Sequence, residues 1–232
     1  DDDTNYWVCY SKTEYDFDDQ NRRILFVTYD LDYTQKKLIG NLKSVSQFDS
    51  FGNEILSAVF RWNTSINNWV ETSRYERVYN GNSLLKETRR WWDQDTGELT
   101  TGSIEEYAYN GAKIDYCIHS SWQGSEGWRV QRREDYIYSG SFVTEKIQSA
   151  WITWREDWSK STRYAYTNDA YGRVLIEDTY SISDENLTGR FFHRAEYAYD
   201  SNGRVIFDSS RFYDANTGWD PHHQYEVAYD AA

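Results

Sequence analysis

From Trp128 to Tyr138 the chain alternates. Trp128, Val130, Arg132, Glu134, Tyr136 and Tyr138 fall on one parity, with Arg129, Gln131, Arg133, Asp135 and Ile137 between them. A period of two is the signature of a β-strand, whose successive side chains point to opposite faces. A helix would need apolar positions at i, i+3, i+4 and i+7, and these segments do not supply them. The alternation returns from Trp219 to Tyr229, so the Trp and Tyr at the two ends are predicted to share a face. Arg173-Val174-Leu175-Ile176 and Arg204-Val205-Ile206-Phe207 are β-prone and predict a second strand in each unit.

The strands recur. Tyr197-Ala198-Tyr199-Asp200 is echoed upstream, and aromatic anchors fall at Phe17, Phe48, Tyr79, Tyr109, Tyr138, Tyr166, Tyr199 and Tyr229. Their spacing is about 30 residues, which marks a tandem array of about seven units. A second series, Leu38, Trp69, Leu99, Trp128, Trp158, Phe191 and Trp219, runs out of phase with the first. Each anchor is followed by turn chemistry, as in Asn80-Gly81, Asn110-Gly111, Ser139-Gly140 and Asp200-Ser201-Asn202-Gly203. Asn-Gly predicts a type I′ hairpin turn. A second turn precedes the Trp series, as in Asp93-Gln94-Asp95-Thr96-Gly97 and Asp214-Ala215-Asn216-Thr217-Gly218.

These elements predict an all-β chain. Residues 1–232 read as a single repeat domain of β-hairpins forming an elongated, coiled antiparallel meander of some fifteen strands. A closed barrel or a wound β-shell is the alternative, because wide sheets twist, curl or close.

Composition sharpens the picture. The 34 Ile, Leu and Val are outnumbered by 42 Phe, Trp and Tyr, which suits a thin aromatic layer better than a thick aliphatic core. The net charge of −13 disfavours nucleic acid and anionic membranes as partners. No apolar run is long enough to insert as a helix. Cys9 and Cys117 are too few for a disulfide framework and are expected to be free thiols.

Tyr197-Ala198-Tyr199-Asp200-Ser201-Asn202-Gly203-Arg204 resembles the tyrosine–aspartate repeat of RHS and teneurin-type surface proteins. The Trp-spaced version is similar to tandem repeats in large secreted proteins of Bacteroidota that use type IX secretion. The resemblance implies a secreted or cell-surface location and a structural, adhesive or encapsulating role. It carries over no catalytic residues.

The chemistry-bearing groups are few. Trp69, Trp128, Trp158 and Trp219 are candidate binding residues, since exposed aromatics can stack on a glycan or a protein surface. Asp93 and Asp95, and Asp214, Asn216 and Asp220, have the spacing of oxygen-rich calcium loops, yet neither loop supplies a Glu at the twelfth position. Asx turns account for the same residues, and no metal or other cofactor is expected. Carboxylate pairs such as Glu105-Glu106 recur with the repeat, as a solvated face would, and no nucleophile elbow or phosphate loop occurs. A non-enzymatic structural protein is therefore expected: a stalk, adhesin or fibre subunit. A glycan- or protein-binding module is the alternative. Self-association or neighbouring repeats at the sheet edges are the expected partners.

Overall fold

The computed structural model describes residues 9–93 and 97–229. Fifteen strands follow one another in a single open antiparallel sheet whose order is the order of the chain. They are β1 (Ser11–Phe17), β2 (Arg23–Asp32), β3 (Lys37–Phe48), β4 (Glu54–Asn63), β5 (Asn68–Asn80), β6 (Ser83–Asp93), β7 (Glu98–Asn110) and β8 (Lys113–Trp122). Then come β9 (Trp128–Ser139), β10 (Phe142–Ile152), β11 (Asp157–Asn168), β12 (Val174–Ser181), β13 (Arg190–Tyr199), β14 (Val205–Asp214) and β15 (Gly218–Glu226). The only helix among the described residues is a 3-10 turn at Gly124–Glu126. The meander is as expected, and the sheet does not close into a barrel.

The chain divides into two compact units, residues 1–106 with 120–129, and residues 107–119 with 130–232. In each, the register is interrupted at regular places. Arg23 pairs with Phe17 and Leu25 with Asp16, which leaves Ile24 as an extra residue. Ile55, Leu85, Thr144, Leu175 and Ile206 are extra in the same way, each just after a first turn. Asn41, Thr72, Thr100, Ser161, Phe192 and His222 are extra on the odd-numbered strands, just inside the second turn. Each of these β-bulges raises the local twist and reverses the faces beyond it.

The bulges correct the expectation that the Trp and Tyr series share a face. Trp219 pairs with Tyr213, whereas Tyr225 pairs with Asp208, five residues back along β14 and so on the opposite face. In the first unit Trp69 pairs with Trp62 and Tyr75 with Ser57, again an odd separation on an unbulged stretch of β4. An even offset preserves a face only along an unbroken strand.

Two further details differ from the sequence reading. In the short first turns, Asn80 pairs with Ser83 and Ser139 with Phe142, so the loops are Gly81-Asn82 and Gly140-Ser141. Only the glycines have positive φ there, 56° and 59°. Glycine first, with positive φ at that position alone, is the pattern of type II′ rather than type I′ turns. The sixth anchor position is Asn168 rather than Tyr166: Asn168 pairs with Val174 as Tyr199 pairs with Val205.

Among the described residues no large side chain is fully buried. The innermost apolar residues are small or medium: Val27, Ala58, Cys117, Ile182 and Ala195. Gly40 lies beneath the indoles of Trp62 and Trp69, where a Cβ would come within 2.6 Å of the Trp69 ring. Polar pairs fill the remaining surface. Arg77 bridges Glu54 at 2.7 Å and Glu87 at 2.6 Å, and Arg89 also reaches Glu87 and Glu105. Burial alone would raise Glu87, but hydrogen bonds from Arg77 and Arg89 outweigh it and hold it below the usual carboxylate range.

Candidate functional site

The most regular constellation is a clasp at the first turns. Asp200 Oδ1 accepts from the backbone N–H of Asn202 and of Arg204, each at 2.9 Å, and Oδ2 accepts from Arg204 Nε at 2.7 Å. Asp18 with Arg22, Asp49 with Asn53 and Asp169 with Arg173 repeat this arrangement. The residue four beyond the Asp then reaches the next unit. Arg22 lies over Phe48, Arg173 over Tyr199 and Arg204 over Tyr229, at 4.5, 4.8 and 4.1 Å from the ring centres. Asn53 donates to the carbonyl of Gly81 at 2.8 Å, and Lys113 donates to that of Gly140. In return the anchor side chain donates backwards: Asn168 to Val143 O, Tyr199 to Val174 O and Tyr229 to Val205 O, at 2.8, 3.0 and 3.1 Å.

The Trp series forms a rim near the second turns. Trp69, Trp158 and Trp219 each meet an aromatic directly across the strand, Trp62, Trp151 and Tyr213, edge to face at 5.2–5.5 Å. Trp128 meets Trp122 in the same way at 5.5 Å. Such pairs contribute about 0.5–1.5 kcal/mol each beyond burial. The candidate binding residues are thus engaged with the sheet itself, and of the four only Trp219 is exposed. The widely exposed aromatics sit instead at turn tips: Tyr33, Phe51, Trp154 and Tyr171, at 74, 71, 84 and 82 %.

In the second unit the face opposite Trp219 interleaves tyrosines with charges. Tyr136 and Tyr164 flank Lys146, Tyr166 faces Glu177, and Tyr197 faces Asp208. Burial first, then nearby carboxylates, raises the hydroxyl pKa of all four tyrosines: Glu134 acts on Tyr136 and Tyr164, and Glu177 on Tyr164, Tyr166 and Tyr197. These rings stay protonated and neutral well into alkali.

At the C-terminal hairpin Ser210, His223 and Asp208 line up, with Ser210 Oγ 2.9 Å from His223 Nδ1 and Asp208 Oδ1 3.3 Å from His223 Nε2. Ser210 is only 6 % exposed and sits mid-strand, its backbone paired on both sides. Acyl transfer needs an accessible hydroxyl beside convergent oxyanion donors. A serine enclosed between two strands meets neither requirement, so this is a cross-strand hydrogen bond. Asp214 turns its Oδ1 inward to the N–H groups of Asn216 and Thr217 at 2.7 and 3.1 Å, an Asx turn. Asp220 lies apart from it on β15, opposite Phe212. Asp93 accepts from Gly97 N–H through its backbone carbonyl, and Asp95 lies outside the described residues. Cys9 is exposed, Cys117 is buried, and neither forms a disulfide among the described residues.

Sequence reading passed over the partners of the Trp series, although Trp62, Trp122 and Trp151 recur at the same period and could have been counted. It also passed over the clasp cations and Glu177, whose surroundings depend on the register of three strands.

No family model matches the chain, and no curated protein matches it. Among solved structures it is weakly similar to a porin-like protein from Bacteroides uniformis ATCC 8492, with a TM-score of 0.42 at 9 % identity over 92 % of this chain and 88 % of that one. A protein of unknown function from Bacteroides fragilis NCTC 9343 gives 0.37 at 12 % identity over 53 % of this chain and 89 % of that one. TcdB2-TccC3-TEV gives 0.34 at 12 % identity over 88 % of this chain and only 13 % of that one. At such scores the likeness carries no argument about function.

Proposed function

We propose that the chain is a structural repeat segment of an extracellular or cell-surface protein, a stalk, adhesin or fibre element without catalysis. The observation that carries this reading is the clasp, in which four of the first turns bind their own backbone and three of those then cover the next anchor. Stability is built from one hairpin to its neighbour, so length is added without new chemistry. The secreted address is supported by the tyrosine–aspartate phrase at Tyr197–Arg204. No helix among the described residues is long and apolar enough to cross a membrane. Protease shaving of intact source cells tests the location. Loss of the segment from intact cells is the expected result, and protection until lysis contradicts it.

A second reading, a glycan- or protein-binding module, is favoured by the exposed turn-tip aromatics Tyr33, Phe51, Trp154 and Tyr171. A glycan array with the wild-type chain and a variant carrying Ser at these four positions separates the two. Binding lost in the variant supports the module, and no binding by either supports the structural role.

A further inference from the structure

We propose that Glu177, with the tyrosines around it, forms a binding site for an organic cation, a primary ammonium or guanidinium group such as a lysine or arginine side chain of a partner. Glu177 lies on β12 between Tyr166 of β11 and Ala195 of β13, both directly opposite it. Two residues along, Thr179 sits between Tyr164 and His193. Tyr197 is two residues beyond Ala195 on β13. All of these side chains project from one face, because the stretches that join them contain no bulge. Ala195 and Thr179 are small and each 4 % exposed, so they lie low on this face between the larger side chains of Tyr164, Tyr166, Tyr197 and His193.

This patch carries a charge that the protein does not pair. Glu177 makes no ion pair and no side-chain hydrogen bond among the described residues. The residues one period away are partnered. Lys146, 31 positions before, lies 3.6 Å from Glu134 and 4.4 Å from the centre of the Tyr164 ring. Asp208, 31 positions after, lies 3.3 Å from His223. His193 is no substitute cation, since burial foremost lowers its pKa and leaves it neutral near pH 7. After burial, Glu177 is among the charges that raise the hydroxyl pKa of Tyr164, Tyr166 and Tyr197.

A carboxylate among aromatic rings attracts a cation twice, through its charge and through the ring quadrupoles. The sheet already uses this pairing internally, with Arg133 over Tyr116 at 4.0 Å and Lys146 over Tyr164. Tyr164 already carries Lys146, so beside Glu177 the open rings are those of Tyr166 and Tyr197, and a cation for them comes from another molecule. A carboxylate accepts two hydrogen bonds from a guanidinium or one to two from an ammonium, and the open face admits the end of an extended side chain.

The test uses the full chain with tyrosine side chains isotopically labelled for NMR. The probes are butylammonium and N-acetylarginine amide, with butanol as the neutral control. Saturable shifts at Tyr164, Tyr166 and Tyr197 with both cations and not with butanol are expected, with dissociation constants in the millimolar range. Glu177→Gln is expected to weaken binding about three- to fivefold, the scale of one partly exposed charge contact. Asp220→Asn is expected to change it less than about twofold, because that carboxylate lies on β15, three strands from Glu177 on β12. Unsaturable shifts, equal binding by Glu177→Gln, or an equal loss in Asp220→Asn would overturn the proposal, the last by showing general attraction to an acidic chain. Tyr166→Leu provides a second variant, expected to lose the shift at Tyr164 and Tyr197 while keeping the Glu177 charge.

Discussion

Arg173 Nε donates to Asp169 at 2.6 Å while its guanidinium carbon lies 4.8 Å from the centre of the Tyr199 ring. One side chain thus closes its own turn and covers the anchor of the next hairpin. If the two functions are coupled, a double-mutant cycle of Arg173→Ala and Tyr199→Leu, read by urea denaturation, gives an interaction of about 0.5–1 kcal/mol. A coupling of zero would leave the clasp a local turn motif only.

The clasps also predict how the protein responds to acid. Asp18 and Asp200 are held below the usual carboxylate range, first by the backbone N–H of Arg22 and Arg204, and Asp49 by the Asn53 amide. Burial opposes the shift of Asp169, but hydrogen bonds from Arg173 prevail. A depressed folded pKa means that the stabilisation is complete above the unfolded value, near 4, and is lost as pH falls through the folded one. Thermal melts from pH 6 to pH 2 are expected to show this loss. Replacing all four Asp by Asn is expected to flatten the acid limb.

Alkali acts through the tyrosine face. Tyr136, Tyr164, Tyr166 and Tyr197 keep their protons in the fold beyond the ordinary value, while the unfolded chain releases them near pH 10. Stability from these groups is therefore present below pH 10 and declines above it. An absorbance titration of phenolate is expected to show a late group that ionises together with unfolding. Smooth ionisation of every tyrosine near pH 10 in the folded protein would contradict this.

The second turns predict a stabilising substitution. Glu156 and Lys36 sit at φ of 51° and 52°, where Gly97 and Gly218 stand in other units. A left-handed conformation is strained for a side-chain-bearing residue by about 1 kcal/mol. Glu156→Gly is expected to raise the denaturation midpoint, and Gly218→Ala to lower it.

Strand alternation and turn residues made the meander legible, because each is a local property of the chain. The bulges were not legible. An extra residue such as Ile24 or His222 looks like any other strand residue, and only pairing with a neighbour exposes it. Hence the Trp and Tyr series, ten residues apart, were expected on one face. The same blindness hid Asn168, since Tyr166 offers the aromatic and Asn168 the register. Trp69 and its companions were visible as a series, but not that Trp62, Trp122, Trp151 and Tyr213 occupy their edges and faces. Glu177 has no local signature at all.

The most direct test of a sheet assembled hairpin by hairpin is a pair of deletions followed by circular dichroism during heating. Removing 169–199 joins Asn168 to Asp200, two successive anchor places in the register, and keeps the turn, the bulges and the clasp to Tyr229. Removing 169–181 takes out β12 with its turn, leaving β11 and β13 parallel where the sheet requires antiparallel neighbours. The whole-unit deletion is expected to melt cooperatively close to the intact chain, and the half-unit deletion to lose that transition. A cooperative half-unit deletion beside an unfolded whole-unit deletion would contradict the repeat and every contact assigned to it.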